Sequence, residues 1–290
     1  HRRNSLDTPG QPPASEVAMP PAEAFESGAS AGEALRFQEG EPSSASEILV
    51  EETPVALSYN GQPHAVMMAT PTDLEDFALG FSLAEGILDH ADELLEMDVV
   101  PSRHGVAILM RVKAERLDRL QGLRRSLPGM GGCGLCGVEQ LDAAIRIPAS
   151  VTDRLRLHPD ALTRAFAALP ERQSLGRRTG ASHAAAFARA DGTLVLVRED
   201  AARHNAMDKL IGALARERLD PREGFAVVTS RASYELAQKA ASAGCELLAA
   251  ISAPTGLAVR LAQHAGLTLV GFARGRRFTC YAHPQRLGAG

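Results

Sequence analysis

From about residue 157 onward the sequence alternates helical and strand patterns with short connections, and this alternation narrows the possible folds more than any other feature. A helix starts near His158-Pro159-Asp160 and stops before Pro170, which has no backbone N–H to donate. The run His183-Ala184-Ala185-Ala186-Phe187 leads a strand to a turn at Asp191-Gly192, and a second strand follows over 194–197. Helices over 203–218, 232–243 and 255–265 then interleave with strands over 225–229, 246–251 and 267–272, and a last short strand passes through Phe278 and Tyr281. Such repetition predicts a largely parallel sheet covered by helices, an α/β sandwich.

A smaller α+β region precedes it. A strand ending at Tyr59 meets Asn60-Gly61 and then an apolar run with Val66, Met67 and Met68, the pattern of a hairpin closed by a primed turn. Pro54 in the first strand argues for a sheet edge. Thr72 and Glu75 have capping-box spacing, and Leu74, Phe77, Ala78, Phe81 and Ala84 recur at helical intervals, predicting a helix that runs to about Leu88. A second hairpin turns near His104-Gly105, and a polar amphipathic helix covers 114–126. Residues 1–46 are rich in Pro, Ala, Ser, Gly and Glu without sustained period, the composition of a disordered tail. The chain thus divides into a tail (1–46), an α+β region (47–126), a cysteine loop with its connection (127–150) and an α/β domain (151–290).

At 290 residues, 45% hydrophobic and 23% charged, the chain has ample material for a core. A formal net charge of -4 gives no general footprint for nucleic acid, and no run approaches the length of a membrane helix. A signal-peptide core is absent from the first residues, and four cysteines do not resemble a secreted disulfide framework. A soluble protein of a reducing cytoplasm is expected.

The cysteines concentrate the chemistry. Gly131-Gly132-Cys133-Gly134-Leu135-Cys136-Gly137 sets two thiols among glycines, a segment that can bury almost nothing and presents sulfur. Three chemistries suit the spacing: a dithiol/disulfide couple, half of a zinc site, or a thiolate that carries sulfur as a persulfide. Spacing alone does not choose among them. Cys245 and Cys280 fall in or beside strands and read as inert. A zinc nucleobase deaminase is excluded as a chemistry: the cysteines precede the histidine, no proline precedes Cys133, and Ala185 stands two residues after His183 where a Glu is needed.

Open α/β sheets bind ligands beyond the carboxyl ends of their strands. Four polar clusters fall there: Glu199-Asp200 with Arg203-His204-Asn205, Thr229-Ser230-Arg231, Ser252-Ala253-Pro254-Thr255, and Arg274-Gly275-Arg276-Arg277. Hydroxyls and arginines at such a rim form a reasonable phosphate-binding arrangement. In Arg203-His204-Asn205 a basic pair opens a helix, against the dipole, which favours an anionic ligand.

Taken together, these motifs resemble the FdhD/NarQ family, the formate dehydrogenase accessory sulfurtransferases. The resemblance runs from about 48 to 287 and is carried by Glu52-x-Pro54-Val55, Asn60-Gly61, Thr70-Pro71-x-Asp73-Leu74-Glu75 and the Cys133-Gly134-Leu135-Cys136-Gly137 loop. It continues through Glu199-Asp200-x-x-Arg203-His204-Asn205-Ala206-x-Asp208-Lys209, Arg231-Ala232-Ser233-Tyr234-Glu235, Ser252-Ala253-Pro254-Thr255 and Thr268-Leu269-Val270-Gly271-Phe272-x-Arg274. Ala201-Ala202 and Thr229 depart mildly from the usual wording.

The resemblance implies a cytidine-deaminase-like α/β sandwich without deaminase chemistry. It implies a sulfur carrier that takes persulfide sulfur from a cysteine desulfurase and passes it to the molybdenum cofactor, bis-molybdopterin guanine dinucleotide, before that cofactor enters formate dehydrogenase. By position Cys133 would bear the persulfide, with Cys136 assisting or relaying, and Phe272, Ala273, Arg274, Gly275, Arg276 and Arg277 would contact the guanine dinucleotide. A homodimer is expected, and no resident metal. A dithiol redox protein and a zinc-dependent nucleotide-binding module are the alternatives.

Overall fold

The structure is a computed structural model and describes residues 20, 21, 23–124 and 145–288. Cys133 and Cys136 lie outside the described residues, as does most of the stretch 127–150.

A short helix α1 (Ala24–Ser27) leads into a ribbon of β1 (Ala29–Gln38) and β2 (Glu41–Val50), paired antiparallel from Ala29↔Val50 to Gln38↔Glu41. Over 29–46 this ribbon corrects the expectation of a disordered tail, while residues 1–19 lie outside the described residues. Glu39 (φ 51°) and Gly40 (φ 90°) close it with both central residues left-handed, the primed turn whose twist suits a hairpin. Composition missed it because the ladder is main-chain hydrogen bonding, while Leu35 and Phe37 stay exposed and build no core.

Four strands follow: β3 (Thr53–Tyr59), β4 (Gln62–Ala69), β5 (Leu94–Ser102) and β6 (Gly105–Val112), in the order β4-β3-β6-β5. Asn60 (φ 50°) and Gly61 (φ 78°) form the expected primed turn. Pro54 does not mark an edge, because β3 lies between β4 and β6. Pairing with β6 begins one residue later, at Val55↔Val106, so Pro54 lies outside that ladder while it pairs with Met68 of β4.

Helix α2 (Leu74–Ala84) packs on one face of this sheet, where Phe77 and Leu79 meet Leu57, Tyr59, Ile108 and Met110. Its expected capping box is absent: Asp73 stands at φ 51° and no side chain caps the helix. The helix ends at Ala84 rather than near Leu88, since Ile87 and Leu88 both donate backward to the Ser82 carbonyl. Helix α3 (Leu117–Arg124) closes this part of the chain.

The second part holds α4 (Asp160–Arg172), α5 (Ser174–Thr179), β7 (His183–Arg189), β8 (Leu194–Asp200), α6 (Arg203–Arg216), β9 (Gly224–Val228), α7 (Tyr234–Ser242), β10 (Leu247–Ala250), α8 (Gly256–Ala265), β11 (Thr268–Arg274) and β12 (Arg277–Ala282). Helix α4 runs through Pro170 instead of stopping before it; Pro170 cannot donate to the Phe166 carbonyl, and the helix ends two residues later at Arg172. The six strands lie in the order β12-β11-β10-β9-β7-β8. The sheet is mixed: β9, β10 and β11 are parallel, while β7 is antiparallel to both neighbours and β12 to β11. The β7–β8 turn at Asp191-Gly192 is too short for a crossover, so β7 must reverse.

Helices cover both faces. On one, Ala185, Phe187, Ala226, Val228, Leu248 and Leu269 pack against Met207, Leu210, Leu236 and Ala262 from α6, α7 and α8. On the other, Ala186, Phe225, Val227, Ala249 and Val270 pack against Leu162, Ala165 and Leu169 of α4. Ser233 and Thr255 cap α7 and α8, accepting from Leu236 N and Ala258 N.

Helix α6 joins the two parts and is buried without a break from Asn205 to Leu214. It crosses α2 at a glycine pair: a Cβ on Gly80 would sit 1.7 Å from the Asp208 carbonyl oxygen, and one on Gly212 would sit 1.8 Å from that of Asp76. Only bare backbone fits there. Among the described residues no helix is long and apolar enough to cross a membrane.

Candidate functional site

The residues from Glu199 to Lys209, grouped by sequence as one polar cluster, divide in the structure into scaffold and surface. Asp200 and Lys209 are both fully buried, with Oδ2 and Nζ 2.8 Å apart. Asp200 Oδ2 also accepts from Thr70 N, and its Oδ1 accepts from Ala202 N and Asn205 Nδ2. Lys209 Nζ donates further to the carbonyls of Thr70 and Glu199, and Asn205 Nδ2 to that of Met68. Asp200, Asn205 and Lys209 thus find partners within the fold, which is what allows them to be buried. Glu199 accepts from Leu175 N, Gly176 N and Ser182 Oγ, holding the start of α5. Arg203 and His204 are left half-buried at the rim.

A second network was not singled out in the sequence. Asp208 and Lys239 pair at 2.7 Å, Lys239 reaches Glu85 at 3.3 Å, and Glu85 takes the guanidinium of Arg146. Tyr234 Oη accepts from Arg146 N at 2.6 Å, so the start of the second described stretch is pinned to α2 and α7. Burial pushes the Asp208 carboxyl up to about 6 against the pull of Lys239. Burial opposes the charge of Lys239, but Asp208 and Glu85 outweigh it and raise its pKa. The pattern that could have revealed this network, acidic and basic residues on otherwise apolar helix faces, is visible only once the helices are docked.

Strands β8, β9, β10 and β11 all point the same way, so their carboxyl ends share one rim, and His183 joins it as the first residue of antiparallel β7. His183 lies opposite Asp200 in register, and Thr229 Oγ1 accepts from Ala184 N beside it. Burial, followed by the charge of Arg203, lowers the His183 pKa; Asp200 opposes the shift and His204 adds to it. His204 Nε2 meets Glu235 Oε2 at 2.7 Å, and this contact holds the Glu235 carboxyl below its ordinary value.

At the far end of the rim the β11–β12 hairpin carries the predicted nucleotide contacts. Its register breaks between Gly271 and Arg274, and Phe272 takes the left-handed φ of 52° with its ring half exposed. Phe272 N donates to Ser252 O at 3.1 Å, tying the bulge to the end of β10. Gly271 is required here, since a Cβ would stand 2.8 Å from Pro254 Cδ. Phe272, Arg274, Arg276, Arg277, Phe278 and Thr279 line an open groove of about 690 Å³. Gly275, at φ 58°, makes the turn, whereas Ala273 is buried and faces the core. Arg276 lies 3.7 Å from Asp160 and is otherwise open to solvent. An exposed aromatic face among guanidinium groups can stack a base and neutralise phosphates.

Burial pushes the Cys245 thiol up to about 12, and it raises that of Cys280, whose Sγ donates to Ala282 O. Neither is a thiolate at neutral pH. Among the described residues no three His, Cys, Asp or Glu side chains converge as a metal site.

The sequence profile of the FdhD/NarQ family matches residues 50–288. The chain belongs to the FdhD/NarQ family. A family relative from Xanthomonas campestris, named Sulfur carrier protein FdhD, is 54% identical over 255 residues, covering 88% of this chain and 91% of its own. One of the same name from Cupriavidus necator is 52% identical over 252 residues, covering 87% and 88%. A solved structure from Desulfotalea psychrophila, described as a candidate formate dehydrogenase accessory protein, superposes with a TM-score of 0.71 at 24% identity over 89% of this chain and 98% of its own. That superposition supports the mixed α/β fold of this chain.

Proposed function

We propose that this chain is a sulfurtransferase that accepts persulfide sulfur from a cysteine desulfurase and delivers it to the molybdenum cofactor, bis-molybdopterin guanine dinucleotide, for formate dehydrogenase. The observation that carries this reading is the 54% identity over 88% of the chain to a protein named as a sulfur carrier. The rim supports it, with an aromatic ring and three arginines around a groove of about 690 Å³, a setting for a nucleotide and its phosphates.

In the first step the Cys133 thiolate attacks the outer sulfur of the desulfurase persulfide. A new S–S bond forms on Cys133, the old one breaks, and the desulfurase cysteine leaves as thiolate, with no net change in oxidation level. The outer sulfur then passes, as a neutral sulfur atom, to the cofactor, the substrate of this reaction, while the S–S bond on Cys133 breaks and Cys133 is released as thiolate. Cys136 assists or relays; its attack on the Cys133 sulfur would instead release sulfide and close a disulfide, which the loop has to suppress or use. Phe272, Arg274, Arg276 and Arg277 bind the guanine dinucleotide, with Gly275 and the Ala273 backbone shaping the turn. A cytidine-deaminase-like sandwich, a homodimer and a cytoplasmic setting complete the reading.

Intact-protein mass spectrometry after incubation with an active cysteine desulfurase and cysteine tests it. A reducible gain of about 32 Da that is lost in Cys133→Ala supports the carrier. No gain in the wild type overturns it in favour of a dithiol redox or zinc-binding role.

A further inference from the structure

Arg203 is the first residue of α6, and its Nε is enclosed by protein without a hydrogen-bond partner. Arg116 also has an unpartnered Nε, but its terminal nitrogens reach Asp89 and Glu93. Arg203 makes no hydrogen bond or ion pair with any described residue. A partly desolvated guanidinium without an acceptor is costly, and such a group in a native protein calls for a reason.

The neighbouring carboxylates do not supply one. Asp200 is committed to Lys209, Thr70 N, Ala202 N and Asn205. Glu235 feels the charge of Arg203 but is held by His204 at 2.7 Å. His183, in register with Asp200, is disfavoured as imidazolium by burial and by Arg203, with His204 adding and Asp200 opposing. One guanidinium lacks an acceptor, and the imidazole that feels its charge has only Asp200, already committed to other partners, to offset it. A single oxyanion at this place would remedy both.

We propose that Arg203 and His183 form an oxyanion subsite at the carboxyl rim, built from α6 and β7 rather than from the β11–β12 turn, that takes a phosphate or pyrophosphate group. A guanidinium and an imidazolium both donate to such a group, and its several oxygens can satisfy the two together. The proposal rests on the reading that the rim receives a nucleotide-bearing ligand, and extends it by assigning a second anchor for the ligand's phosphates.

The test is NMR titration of the histidine rings in the full chain with inorganic pyrophosphate. The expected result is a saturable shift of the His183 resonances and a rise in its apparent pKa, because a bound anion favours imidazolium. Arg203→Ala should weaken that response about tenfold or more, and Arg203→Lys, which keeps the charge and most of the stem, should restore part of it. A His183 signal indifferent to about 10 mM pyrophosphate, an unaltered response in Arg203→Ala, or an equal loss in both variants overturns the subsite.

Guanosine diphosphate separates this proposal from the functional reading. If it binds through Phe272 without moving His183, the subsite falls and the nucleotide reading stands. If pyrophosphate moves His183 in an Arg203-dependent way and guanosine diphosphate gains nothing over it, the subsite stands and the nucleotide reading falls.

Discussion

Asp200 at the end of β8 and Lys209 one turn further into α6 than Asn205 form an ion pair of 2.8 Å with both side chains fully buried, and the same pair grips the main chain of Thr70. The residues that look most functional in the sequence are therefore, in large part, the clasp between the α+β region and the α/β sandwich. Removing one charge strands the other. Asp200→Ala should cost about 3–5 kcal/mol of unfolding free energy, measured by urea denaturation, and the double variant Asp200→Ala/Lys209→Met should cost less than Lys209→Met and Asp200→Ala summed.

The α2–α6 crossing tolerates no side chain at Gly80 or Gly212. With Cβ positions 1.7 and 1.8 Å from carbonyl oxygens, either Gly→Ala change must move a helix backbone. The expected loss is about 1–3 kcal/mol or more by chemical denaturation, although alanine is the better helix former by roughly 1 kcal/mol.

Asp208 makes stability depend on pH. Burial raises its folded carboxyl to about 6 from an ordinary 3.8, so below the ordinary value both states are protonated, and between the two only the folded state holds the proton. This group's contribution to stability is therefore full at low pH and is lost as pH rises through about 6. The difference in unfolding free energy between the wild type and Asp208→Asn should fall from pH 4 to 6 and level off near pH 7. A difference that rises over that range would contradict the assignment.

Phe272 separates stability from binding. Its left-handed φ of 52° strains a non-glycine residue and its ring is half exposed, so Phe272→Gly should leave thermal stability equal or higher, with relief of about 1 kcal/mol. If the ring stacks a base, the same change weakens guanosine diphosphate binding about tenfold, read by calorimetry. Unchanged affinity would remove Phe272 from the nucleotide site.

Local rules carried far in this chain because they act over a few residues. Asn60-Gly61 closes its hairpin as expected, and the strands that alternate with helices from residue 157 form the six-stranded sheet. Local rules failed where a distant partner decides. The β1–β2 ribbon is hidden in a composition suited to disorder because its ladder is made by main chain, and Pro54 sits in an interior strand whose pairing with β6 starts just beyond it.

The sequence by itself determined the α/β alternation, the Asn60-Gly61 turn, the family, and the presence of arginines and a phenylalanine at the carboxyl rim. Only the tertiary structure decided the reversal of β7, the docking of α6 on α2, and which members of the polar clusters are buried and which are free. Asp200, Asn205, Lys209 and Arg203 are equally polar as letters. Burial sorts them, because a charge taken out of water is tolerated only beside its partner, and those partners come from Met68 and Thr70, more than a hundred residues away in sequence.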